Sequence, residues 1–177
     1  MPDENILPLK PYCGGVGEAA ILHGYMEAKG GLWIVEPWAM GSVNLLLGGE
    51  NPDLLGTRKI DAVQFDTSGP CRIHNAHAED KRKKVVTTRL QEIQRLWRSA
   101  NTITIVEAKS ALKLNAGWAV IGQSITSEYA MRFSYGETDA SLRSVIVVGD
   151  ANRAMQRQAE EIGLSVEFGT RCRCASR

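Results

Sequence analysis

Apolar and polar positions along the chain change their period several times, and each change marks an element. Over 18–29, Ala20, Ile21, Tyr25 and Ala28 fall near helical spacing, behind Gly14-Gly15-Val16-Gly17 as lead-in and before Gly30-Gly31 as a stop. The run Leu32-Trp33-Ile34-Val35 has strand composition and ends at Glu36-Pro37, because proline cannot donate to a sheet ladder. Residues 37–58, with their glycines, prolines and Leu45-Leu46-Leu47, fit either a short strand or a packed loop. Over 59–65, Ile60, Ala62 and Phe65 flank polar positions in a β-compatible run that Thr67-Ser68-Gly69-Pro70 closes.

From 79 to 99, Val86, Leu90, Ile93 and Trp97 recur at steps of three and four with charges between them, which predicts an amphipathic helix. The densely β-branched run 102–108 predicts the clearest strand of the chain. A second core helix is expected over 116–133, with Trp118, Ile121, Ile125, Tyr129 and Phe133 as the stripe that one side could bury. A buried-type strand over 144–148, a helix over 150–162 with Asp150 or Asn152 near its cap, and a strand over 164–168 complete the series. The expected fold is α/β, a central mixed sheet flanked by helices.

Composition narrows the class of protein. A chain of 177 residues suits one hydrophobic core, so a single domain over 1–177 is expected, with 169–177 as a C-terminal tail. At 44% hydrophobic and 23% charged, it belongs with globular chains, outside the disordered and membrane classes. The start, Met1-Pro2-Asp3-Glu4-Asn5, is acidic and has no apolar h-region, so an intracellular, cytoplasmic setting without membrane attachment is expected. The formal net charge of +1 advertises no polyanion partner globally. Locally it does: Lys81, Arg82, Lys83 and Lys84 are consecutive, and Arg89, Arg95 and Arg98 follow in the same segment. Those cations suit a phosphate backbone, or equally a solvated face balanced by Glu79, Asp80 and Glu92.

The candidate chemistry lies at the end of Ile105-Val106-Glu107-Ala108-Lys109, where alternation puts Glu107 and Lys109 on one face. Hard divalent cations take carboxylate oxygens, and phosphodiester hydrolysis needs a group that positions or deprotonates water. A Glu and a Lys together could supply both, or could form only a salt bridge at a strand end. Asp61, in an upstream strand able to pair with this one, could bring a second carboxylate; Asp53, in a Pro-Asp pair within a glycine-flanked loop, is the alternative.

An apolar strand ending in Glu-x-Lys, an upstream strand bearing Asp, a following helix and a further strand resemble the core of the PD-(D/E)XK nuclease superfamily. That group includes restriction enzymes, RecB-type exonuclease domains and archaeal Holliday-junction resolvases. The resemblance implies a restriction-endonuclease-like core and a metal-dependent nuclease. Asp61 and Glu107 then hold Mg²⁺ or Mn²⁺, Glu18 on the first helix is a further acid, and Lys109 assists the attacking water. Gly122-Gln123 is similar to the Gly-Gln that RecB-like members carry after the motif, with Gln123 as a catalytic candidate and Tyr129 as the aromatic that often follows. Gln123 and Tyr129 stand further apart than in the usual form, and Asp61 lies far from Glu107 for strands usually joined by a hairpin. Residues 67–100 are therefore expected to be a helical insertion.

DNA is the expected substrate on family habit, and a homodimer fits a nuclease of this size. The rival reading is a catalytically inactive nucleic-acid-binding or assembly subunit of the same fold; an unrelated small-molecule enzyme is a third. Cys71, His74 and His77 with Cys172 and Cys174 have spacings compatible with zinc. Some RecB-like nucleases hold an iron-sulfur cluster with one cysteine before the first helix and three after the core; Cys13, Cys172 and Cys174 resemble that layout, one cysteine short. Free thiols near the chain ends are the simpler alternative. His23 is expected on a helix face, and Trp33, Trp38 and Trp118 in core or rim packing.

Overall fold

Alternating apolar side chains give the central strands two oily faces, and the helices on either side bury both. The computed structural model describes residues 17–40, 57–75 and 86–170. Its elements run α1 (Glu18–Lys29), β1 (Leu32–Val35), β2 (Trp38–Met40), β3 (Thr57–Lys59), β4 (Ala62–Asp66), β5 (Arg72–Asn75), α2 (Val86–Ser99), β6 (Thr102–Lys109), α3 (Gly117–Tyr135), β7 (Ser141–Val148), α4 (Arg153–Glu161) and β8 (Ser165–Phe168). Six strands form one mixed sheet in the order β5-β1-β4-β6-β7-β8, and β2 and β3 form a separate two-stranded ribbon. Within the sheet β1, β4 and β6 are antiparallel neighbours, whereas β6, β7 and β8 are parallel and connected through α3 and α4.

The faces follow the alternation. Trp33, Val35, Ala62, Val106, Ala108, Val145 and Val147 pack against Ile21, Leu22, Tyr25 and Met26 of α1. On the other face, Ile34, Val63, Phe65, Ile103 and Ile105 meet Ile93 and Trp97 of α2 and Ala130, Met131 and Tyr135 of α3. Further along, Ile146, Val148 and Val166 meet Val120 and Ile121 of α3 and Met155 and Ala159 of α4. The sheet is thus the middle of three layers, as the sequence pattern predicts. Gly31 permits the turn from α1 into β1: its φ is +79°, and a Cβ there would lie 1.9 Å from the Asp66 carbonyl oxygen.

Several expectations need correction. The stripe expected to bury α3 is largely its outer face: Trp118, Ile125, Tyr129 and Phe133 are exposed, and only Ile121 is buried. The sheet takes instead the face carrying Val120, Ser124, Ser127, Ala130 and Met131, because smaller side chains let a helix settle closely on the strands. Trp118 is accordingly no packing residue of this core, whereas Trp33 is fully buried. The segment 67–100 is not purely helical, since β5 joins the sheet edge parallel to β1. The strand expected over 59–65 divides into β3 and β4 at Ile60 and Asp61, and the start of the helix expected from 79 lies outside the described residues.

One polar cluster ties α1 to the sheet. Glu167 of β8 pairs with Lys29 at 2.8 Å and Arg143 at 2.6 Å, and accepts a hydrogen bond from the Tyr25 hydroxyl at 3.1 Å. Burial pushes the Glu167 carboxyl upward, but Lys29, Arg143 and the Tyr25 hydroxyl outweigh it and hold it below its ordinary value. Tyr25 is held well above the ordinary phenol range, chiefly by burial and then by the Glu167 charge. The depressed carboxyl contributes stability that is complete above its ordinary pKa and fades as pH falls through the folded-state value. Glu167→Gln is expected to cost about 1 kcal/mol at pH 7. Urea unfolding at pH 7 and at pH 3 checks this, the difference between the two proteins shrinking at the lower pH.

Candidate functional site

The last residues of β6 collect the acidic and basic groups that the sequence singles out. β4 pairs with β6 through Ala62 and Val106, so Asp61 stands one step beyond that pair, opposite Glu107. Its backbone is held although it precedes the strand: the Glu36 amide donates to the Asp61 carbonyl at 3.1 Å, and the Ile60 amide donates to the Pro37 carbonyl at 3.2 Å. Glu36 takes the left-handed backbone conformation, with φ at 54°, where β1 gives way to the ribbon. The Asp61 carboxylate, reaching along the sheet, accepts a hydrogen bond from the Ala108 amide at 2.7 Å.

Glu18 approaches from the first turn of α1, and its Oε1 accepts from the Ser110 amide at 3.4 Å. Between the two carboxylates lies the Lys109 ammonium, 3.7 Å from Glu18 Oε2 and 3.7 Å from Asp61 Oδ2, while it donates to its own neighbour's carbonyl, Ala108 O, at 2.8 Å. Ion pairs this long and partly exposed add little stability, about 0–1 kcal/mol each. Their interest lies in what they position.

Glu107 lies two residues before Lys109, on the same strand face but within the part of β6 that α3 covers. It faces α3, only 3% exposed, and its carboxylate is hydrogen-bonded by the Ser127 hydroxyl. Ser127 also lies 2.8 Å from the Gln123 carbonyl oxygen, one turn back on the helix. Burying an ionised carboxylate is costly unless it is paired or hydrogen-bonded, so a serine at this spot compensates part of that cost. The structure thus brings Asp61, Glu18 and Lys109 into one cluster and holds Glu107 beside it under α3. Among the described residues, no group of three or more His, Cys, Asp and Glu side chains comes together closely enough to hold a metal ion.

The loops beyond β6 and β7 meet at the same end of the sheet. The Leu112 amide donates to Asp150 O at 2.9 Å and the Asn152 amide to Leu112 O at 2.8 Å. The Asn152 side chain caps α4 by accepting from the Ala154 and Met155 amides, whereas neither Gly17 nor Ala116 caps α1 or α3 through a side chain. The N-termini of α1, α3 and α4 therefore all open toward the strand ends that carry the acids. Helix N-termini carry partial positive charge.

Other expected residues fall elsewhere. Gln123 is partly buried on α3, and Tyr129 lies on the helix's exposed side, away from the Ser127 face. Arg95 is exposed on α2; Arg89 belongs to the same helix, its side chain outside the described residues. Lys81, Arg82, Lys83, Lys84, Asp53, His77, Cys13, Cys172 and Cys174 also lie outside the described residues. Cys71 is a free, partly buried thiol packed against the α1 core, raised by burial and then by the Glu27 charge. His23 is buried on α1, its Nδ1 3.6 Å from Glu27 Oε2.

Ser127 is the residue that sequence reasoning missed. Its signal was present: Ser124 and Ser127 stand three apart among the apolar residues of one helix, where a polar side chain calls for a buried partner. The chain matches no protein-family model, no curated protein and no solved structure. Ser127→Ala is expected to destabilise the protein by about 1–3 kcal/mol, the range for a buried acceptor deprived of a donor. Chemical denaturation of the variant beside Ser127→Thr, which keeps a hydroxyl, checks the assignment.

Proposed function

We propose that this chain is a metal-dependent nuclease with a restriction-endonuclease-like core, cleaving phosphodiester bonds in nucleic acid, with DNA as the preferred substrate. The observation that carries the reading is the meeting of Asp61, Glu18 and Lys109 around the last residues of β6, with Glu107 in the adjoining position. The order of elements supports it: an Asp-bearing turn leads into β4, β4 pairs directly with the strand that ends Glu-x-Lys, and a helix then crosses to a parallel strand. The intervening residues 67–100 leave that pairing intact.

The donor set consists of carboxylate oxygens, which suits a hard divalent cation such as Mg²⁺ or Mn²⁺. Asp61 and Glu107 would hold it, with Glu18 as a further acid. When bound, such a cation polarises a phosphoryl oxygen and lowers the pKa of its water. Lys109 orients the attacking water and offsets the charge that develops on the phosphate. Ser127 keeps the Glu107 side chain in one rotamer. The helix N-termini at this end of the sheet favour the approach of a phosphate.

The second reading, a nucleic-acid-binding or assembly subunit that keeps the nuclease-like fold without cleaving, is favoured by the burial of Glu107 beneath α3. Incubation of plasmid and single-stranded DNA with Mg²⁺ or Mn²⁺, against an EDTA control, decides between them. Glu107→Gln and Asp61→Asn are each expected to lower cleavage by on the order of a hundredfold or more with circular dichroism unchanged. Lys109→Ala is expected to lose cleavage while keeping metal affinity, measured by calorimetry. Wild-type rates in both carboxylate variants would end the proposal.

Salt dependence addresses the basic segment. Each phosphate contact contributes about −0.9 to the slope of log affinity against log salt on duplex DNA. Neutralising Lys81, Arg82, Lys83 and Lys84 together is expected to flatten that slope by up to roughly three to four units. Fluorescence anisotropy with a labelled duplex at several salt concentrations measures it; an unchanged slope places the DNA elsewhere.

A further inference from the structure

The outer face of α3 presents Trp118, Ile125, Tyr129 and Phe133, at 60, 51, 49 and 45% exposure, with Gly122 between the first two. Their spacing follows one side of the helix over roughly 22 Å at 1.5 Å per residue. Charge on α3 is confined to Glu128 and Arg132, which pair with each other at 3.3 Å. The face is therefore apolar, close to neutral and without the cations that a phosphate backbone needs. A long apolar stripe of this kind marks an interaction surface.

The order of residues along it indicates the occupant. If the stripe meets a copy of itself antiparallel about a two-fold axis between Ile125 and Thr126, Trp118 lies opposite Phe133 and Gly122 opposite Tyr129. A large side chain then meets a vacancy at two symmetric places: a Cβ added at Gly122 would have nothing within 4 Å, leaving room for a tyrosine ring. Ile125 lies beside the axis, offset from its own copy by only one residue, about 1.5 Å along the helix. Such reciprocal pairing is what a two-fold interface requires.

The area is also of the right order. An aromatic side chain buries roughly 150–250 Å² when fully covered, so the exposed halves of Trp118, Tyr129 and Phe133 offer on the order of 300 Å² per chain. Two copies, with Ile125 and Leu114 added, bring the apolar part to on the order of 1,000 Å², close to the lower end of about 1,200 Å² for specific interfaces. We propose that α3 is the dimer interface of this protein, packing antiparallel on α3 of a second copy. The proposal is independent of the nuclease reading.

Sedimentation velocity of the full chain tests it directly, with dimers expected at micromolar concentration. Ile125→Glu places a like-charge pair beside the axis and is expected to weaken association by at least about thirtyfold, the effect of losing one central contact. The position is solvent-exposed in one chain, and an unchanged melting temperature verifies folding. With the four native cysteines replaced by serine, Ile125→Cys is expected to cross-link to its own copy on mild oxidation. Trp118→Cys should cross-link only when mixed with Phe133→Cys. A wild-type monomer at all concentrations overturns the proposal, as does a dimer that survives Ile125→Glu or an Ile125→Cys protein that fails to cross-link. A monomer whose binding to a single-stranded oligonucleotide is lost on Trp118→Ala overturns it in favour of a base-stacking surface.

Discussion

Everything at the proposed site depends on how β6 ends. This strand has neighbours on both edges and helices on both faces, so residues 103–108 are all buried, and all of them but Thr104 and Glu107 are apolar. Where β4 starts, β6 still has amides to satisfy, and the Asp61 carboxylate takes the one at Ala108. Glu18 takes the amide two residues on, at Ser110, which brings the start of α1 to the same place. The backbone's demand for acceptors is thus what gathers two carboxylates around Lys109. A charged cluster arises from a hydrogen-bonding requirement, with no large contribution from the ion pairs themselves.

The same constraint explains how much was legible in the sequence. The strands of the central sheet declare themselves through β-branched runs such as Thr102 to Val106, because a strand buried on both faces has little other choice of residue. Glu107 and Lys109 stand out for the complementary reason, as charges where such a run stops. The alternation places both on one side of the sheet, yet a lysine's long stem lets its ammonium reach Asp61 and Glu18 beyond the strand end. Backbone parity is visible in a sequence; side-chain reach at an open end is not. Strand β5 escaped, and β2 and most of β3 fell where strand and loop fitted equally, because each is only three or four residues long, with no apolar period to detect.

Helix α3 shows a different failure. Its largest apolar residues form the more conspicuous stripe and face solvent, while the core takes Ser124, Ser127 and Ala130. Size and hydrophobicity identify a face that seeks cover without saying what covers it. The sheet surface here includes the buried carboxylate of Glu107, and a serine fits over it where a leucine could not supply a donor.

The segment between β4 and β6 supplies both an edge strand and a helix that covers one face of the sheet. Its strand β5 lies at the far edge, beside β1. Its helix α2 sinks Ile93 and Trp97 into the core, the indole nitrogen donating to Gly136 O at 2.9 Å and the Trp97 carbonyl accepting from Thr138 at 2.7 Å. A chain shortened to a tight hairpin at this point would lose a hydrophobic wall and two anchors on the approach to β7. Helix α2 is therefore part of the domain's own core, and without it Ile34, Val63, Phe65 and Ile105 would lose the side chains that shield them from water on that face.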